Sequence, residues 1–125
     1  MTPVPEDAAL YPVRRLSVTQ SVTFAVCLAA AWRDVHQSPY PGEHFGRADV
    51  VDTLREFGAD PRAVNAAIDT DLQLLLLICR DGRYLRLGPA VAALPESFAE
   101  SLRRVYDQLP RPRESNTRQP EGEEP

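Results

Sequence analysis

Between Ser17 and Leu109 the apolar positions change period several times, and each change marks an element. Val18, Val22, Ala25, Ala29 and Trp32 recur at helical spacing as one stripe, and Phe24, Leu28, Ala31 and Val35 form a second. Ser17-Val-Thr-Gln20 has the spacing at which a hydroxyl and a side-chain amide satisfy each other's backbone N–H groups. A first helix is therefore expected from residue 17 to about 37. A helix apolar on two sides must be buried on two sides. One stripe serves its own domain; the other needs the C-terminal helix or a second subunit. The turn-rich connector SPYPGEHFG follows, then a second helix over about 47–57 with Val50, Val51, Leu54 and Phe57 inward. Asp49, Asp52 and Glu56 share its solvated face with Arg47 and Arg55.

The next thirty residues hold the most explicit grammar. Gly58 suits a helix end, Asp60 a cap, and Pro61 the first turn of a third helix. Val64, Ala67, Ile68, Asp71 and Leu75 then line one face, apolar apart from Asp71. From Leu74 to Cys79 the chain is continuously apolar, as in a strand or helix end buried on both sides. Asp81-Gly82 is a favoured type I′ turn dipeptide, predicting a hairpin of residues 74–80 and 83–87 with Arg80 opposite Arg83. Gly88-Pro89 breaks the ribbon, and residues 89–94 read as a short helical turn. Ser97-Phe-Ala-Glu100 has capping-box spacing and opens a last helix with Phe98, Leu102, Val105, Tyr106 and Leu109 on one face. Pro110 follows it. No internal repeat is visible.

The expected division is a flexible segment over 1–15, one domain over 16–110, and a disordered polar, proline-rich tail over 111–125. With 43% apolar residues the chain can fill one modest core. It has no run of about 18 apolar residues for a membrane span and no secretory leader, so a cytoplasmic protein is expected. Cys27 and Cys79 sit in apolar runs and read as reduced core residues. All 14 basic residues are arginine, which removes Schiff-base, phosphate-loop and general-base lysines at once. Together with the alanine and proline load, it matches a GC-rich bacterial genome. A formal charge of −4 argues against a sequence-independent nucleic-acid coat but allows a local basic patch.

The stretch ADVVDTLREFGADPRAVNAAIDTDLQLLLLICRDGRYLRLGP resembles the winged helix-turn-helix superfamily. The implied fold class is mainly α with a small β-hairpin: a winged helix-turn-helix with an additional C-terminal helix. By that resemblance, residues 60 to about 74 are the recognition helix and the hairpin over 80–86 is the wing. Where many members have glycine before the first wing strand, this chain has Leu76. The resemblance implies double-stranded DNA as partner. Arg62, Asn65 and Gln73 would then meet base edges or phosphates, while Arg80, Arg83 and Arg86 supply wing charge. Arg62 and Asn65 rank first because helix N-terminal residues lie nearest the bases in this docking mode.

Against this stands the charge count: between Asp60 and Arg86 four arginines meet four aspartates. The expectation is a DNA-binding transcriptional regulator, with a protein-docking adapter in a larger assembly as the alternative. Phe24, Leu28, Phe98, Leu102 and Tyr106 are the candidate self-association surface of a homodimer. No enzyme, cofactor or metal is expected. His36 and His44, near Asp34 and Glu43, lack a metal-ligand spacing and read as surface or core residues. Ser17 and Ser97 are explained by capping, and Trp32 and Phe24 as core.

Overall fold

Ser17 opens the first helix as its spacing predicts. Its hydroxyl accepts from the Gln20 backbone N–H at 3.2 Å, and Gln20 Oε1 accepts from the Ser17 N–H at 2.9 Å. The structure is a computed structural model and describes residues 16–110 together with Val13 and Pro112. The expectations for 1–15, apart from Val13, and for 111–125 lie outside these residues.

In chain order the elements are α1 (Val18–Ala31), α2 (Arg47–Glu56), α3 (Pro61–Asp69), α4 (Asp71–Leu74), β1 (Ile78–Asp81), β2 (Tyr84–Leu87), α5 (Pro89–Ala92) and α6 (Glu96–Arg104), with a closing 3-10 turn over Tyr106–Gln108. The fold is mainly α with one antiparallel hairpin, as expected. Helix α1 is the hub. It packs against α2, α3, α4 and β2, and from Val26 to Trp32 every side chain is buried. The core closes around Val50 and Leu54 of α2, Val64 and Ile68 of α3, Leu72 of α4, and Ile78, Leu85 and Leu87 of the hairpin.

Helix α1 ends at Ala31 rather than near residue 37. The chain leaves helical geometry at Trp32 (φ −93°, ψ 88°), where the indole sinks into the core and its Nε1 donates to the Gln37 carbonyl at 2.9 Å. Burying that large side chain with its N–H satisfied outweighs two more turns of exposed helix. Val35 is therefore not part of the α1 stripe. The two stripes are also covered differently from the expectation: the C-terminal half of α1 is buried all round, while Val18 is 82% exposed.

The expected recognition helix is two helices. It breaks at Thr70 (φ −112°, ψ −95°), whose hydroxyl donates back to the Ala66 carbonyl. Asp71 then opens α4 on the exposed side instead of joining the apolar face. A full Schellman motif closes α4: Leu77 N–H bonds the Leu72 carbonyl at 3.0 Å, and Leu76 N–H bonds that of Gln73 at 3.0 Å. Leu76 occupies its left-handed position at φ +60°. Consequently the run from Leu74 to Cys79 is not buried on both sides; Leu74 is 78% exposed, and the strand starts only at Ile78.

The hairpin pairs Ile78 with Leu87, Cys79 with Arg86, Arg80 with Leu85 and Asp81 with Tyr84. Its loop is Gly82-Arg83, one residue later than expected, and Arg80 does not face Arg83. Gly82 has φ +63°, the requirement at the first central position of a type II′ turn. Each cross-strand partner changes by two positions, so the inward and outward sets survive the shift. Phe45 extends this sheet by one bridge, exchanging both backbone hydrogen bonds with Leu85 at 2.9 and 2.8 Å. Residues 89–92 form the expected helical turn. The last helix starts at Glu96 after Pro95, so Ser97 lies inside its first turn and is not the cap. It ends at Arg104, so Val105, Tyr106 and Leu109 follow the helix instead of continuing its face.

Candidate nucleic-acid interface

Local capping places the first candidate. Asp60 accepts from the Arg62 N–H at 3.0 Å, fixing the start of α3 with Arg62 in its first turn and exposed. The outward residues after it are small or already engaged. Ala63 and Ala66 are exposed. Asn65 is half-buried, and both ends of its amide are used: Nδ2 donates to the Pro61 carbonyl at 3.0 Å, and Oδ1 accepts from Arg47 Nη1 at 3.1 Å. The same guanidinium donates through Nη2 to Asp69 at 2.7 Å. Gln73 lies beyond the Thr70 break and approaches Asp69 at 3.5 Å.

On the hairpin, Arg80 and Arg83 are exposed at the end of β1 and in the turn. Arg86 is half-buried; its Nε lies 3.8 Å from Asp81 and its Nη1 approaches the Leu87 carbonyl at 3.5 Å. His44 Nε2 lies 2.6 Å from the same Asp81 carboxylate, and its ring meets Tyr84 edge-on. Gln20 of α1 donates to Asp71.

These contacts sort the charges. Every carboxylate between Asp60 and Asp81 has an internal partner: a helix start for Asp60, Arg47 for Asp69, Gln20 for Asp71, His44 and Arg86 for Asp81. Among the described arginines, Arg62, Arg80, Arg83 and Arg104 carry no ion pair and no side-chain hydrogen bond. Three of these four lie on α3 and the hairpin. Of the six residues expected at a DNA face, then, Arg62, Arg80 and Arg83 are free, Asn65 is occupied, and Gln73 and Arg86 make only long contacts of 3.5 Å or more.

The sequence did not point to Arg47, His44 or Gln20 as partners. Arg47 reads as one of several solvated charges on α2, and its contacts on α3 are 18 and 22 residues away. His44 reaches Asp81 across 37 residues, and Gln20 reaches Asp71 across 51. No periodicity encodes such pairs.

The self-association candidates are occupied within one chain. Phe24 and Leu28 lie in the core, and Phe98 and Leu102 pack against it. Tyr106 meets Trp32 edge-on at 4.9 Å and donates its hydroxyl to the Trp32 carbonyl at 2.9 Å. Both cysteines are free, Cys27 buried and Cys79 half-buried; burial pushes the Cys27 thiol far above its ordinary range. Among the described residues no three His, Cys, Asp or Glu side chains gather as a metal site, and no helix is long and apolar enough to cross a membrane. Compared with protein-family models, curated proteins and solved structures, the chain matches none.

Proposed function

We propose that this is a non-enzymatic winged-helix domain that binds double-stranded DNA in the cytoplasm, laying the start of α3 into the major groove and the hairpin against the backbone. One observation carries the reading. Among the described residues Arg62, Arg80 and Arg83 have no partner, whereas each aspartate of the same region has one. Asp69 is ion-paired with Arg47, a cation from outside the stretch 60–86, so its charge is offset locally. An unpaired guanidinium can meet phosphate without first giving up an ion pair. The formal balance of four and four thus understates the positive charge available to a ligand.

The experiment is an anisotropy titration of labelled duplex DNA with the full chain at low salt, beside the triple variant Arg62→Ala, Arg80→Ala, Arg83→Ala. Binding by the native chain and its loss in the variant is the expected result. If the native chain retains no duplex, the DNA reading is wrong.

A second reading, the protein-docking adapter, draws on a different observation. Val18 and Phe57 are 82% and 70% exposed and, with Val22, line an open groove between α1 and the turn after α2. Large apolar side chains grouped in this way suit a protein partner. Failure of DNA binding in the titration makes this the reading to pursue.

A further inference from the structure

We infer that the interface reads the DNA backbone and has almost no base sequence preference, so that its partner is duplex DNA of mixed sequence and not a single operator. This rests on the DNA-binding reading above and concerns which part of the duplex the side chains reach.

Base-edge readout needs outward side chains with hydrogen-bonding atoms to spare, and discrimination is best when two atoms of one side chain meet one base. Few such atoms exist along α3 and α4. Asn65, the residue type that pairs with adenine, spends one amide atom on the Pro61 carbonyl and the other on Arg47. Turning it to a base would break both contacts. Ala63 and Ala66 offer only methyl groups, which can touch a thymine methyl and nothing else in the groove. The Thr70 hydroxyl is given to the Ala66 carbonyl, and Asp69 is held by Arg47. Gln73 follows the break in the helix and approaches Asp69. On α3 itself Arg62 alone remains free.

The hairpin repeats the pattern. Arg80 and Arg83 are free, but their neighbours Gly82 and Tyr84 add no groove-reading pair, and Asp81 is committed to His44. Three unpaired cations with one eligible base reader make a surface that measures phosphate positions. The small outer face of α3 lets the walls of a groove approach without testing what they display.

Counterion release turns the count into a measurement. Three phosphate contacts give a slope of log affinity against log salt of about −2.7, so raising salt from about 20 to about 200 mM weakens binding roughly 500-fold. Removing one contact brings the slope to about −1.8 and the loss to roughly 60-fold.

The test uses the full chain with a fluorescent duplex of about 20 base pairs in randomised sequence, followed by rounds of selection from that pool. The slope should be near −2.7, falling by about one unit in Arg80→Ala and in Arg83→Ala. Arg104→Ala, which removes an unpaired arginine on α6, should leave it unchanged. No selected duplex should exceed the pool by more than about fivefold, since even one weak bidentate base contact would supply that much. A selected sequence bound more tightly than that, or a slope of about −6 or steeper, overturns the inference while leaving DNA binding intact. Absence of binding to any duplex at the lowest salt overturns the DNA reading itself, and this inference with it. Circular dichroism of each variant separates a lost contact from a lost fold.

Discussion

Leu76 sits where a glycine would be easiest. In the left-handed region a Cβ crowds the following carbonyl, at a cost of roughly 1–2 kcal/mol. Yet this position, φ +60°, closes the Schellman motif of α4. Half of the Leu76 side chain is exposed, so little buried apolar area repays the strain. Leu76→Gly relieves the strain and loses some rigidity in the unfolded chain; the balance should raise stability by about 0.5–1 kcal/mol. Urea unfolding monitored through Trp32 reads this as a higher midpoint at unchanged slope, and a lower midpoint would mean that Leu76 has a packing role. The cysteines differ by the same kind of local argument. Thiolate is the reactive form, and burial keeps Cys27 protonated and out of reach. An aromatic disulfide reagent should titrate one thiol per native chain, with Cys79→Ser abolishing the reaction, and a second only after unfolding.

At the scale of elements, starts were more legible than ends. The beginnings of α1, α2 and α3 follow from a capping box, a connector rich in turn residues, and Asp60-Pro61, all of which act within three or four residues. Ends depend on what the chain meets next. Trp32 ends α1 because its ring is buried against Tyr106, 74 residues away, and its N–H turns to the Gln37 carbonyl, and no capping signal in the sequence marks either contact. Thr70 breaks the third helix without glycine or proline, so an apolar period running from Val64 to Leu75 looked continuous. The sequence predicts the hairpin, but its loop lies one residue later than the Asp81-Gly82 dipeptide implies. Two tertiary contacts, the Phe45 bridge to Leu85 and the hold of His44 on Asp81, agree with the observed register, and neither appears in a local dipeptide. Gly88 belongs to the same class: a Cβ there would meet the Leu76 carbonyl oxygen at 2.1 Å, so this glycine lets the chain after β2 pass against the exit of α4.

Across the whole molecule, the arrangement around α1 decides what its second stripe is for. Phe24 and Leu28 are buried by their own chain, so their energetic role is in the core. Leu28→Ala should cost about 2–5 kcal/mol in unfolding experiments. That loss should be the same at low and high protein concentration. A midpoint that rises with concentration would instead place a second copy against this helix. The candidate site was half legible for a related reason. Residue types and helix positions singled out Arg62, Arg80 and Arg83, which do stand free. The commitment of Asn65 to Arg47, and of each aspartate to its partner, is a property of the assembled fold.

The left-handed turn at Leu76 also divides an apolar run rich in leucine. Residues 74–79 read LLLLIC, a six-residue window with no charge and no proline, and such windows stack readily into cross-β fibrils when extended. In the folded protein that window cannot lie extended. Its first residues finish a helix, its last ones start a strand, and Arg80 and Asp81 follow at once as charged guards against further strand addition. The segment is therefore hazardous only when the domain opens. How long the protein lasts would then be governed by how often α4 and β1 come apart and by what the exposed leucines meet, a matter of rates more than of equilibrium stability.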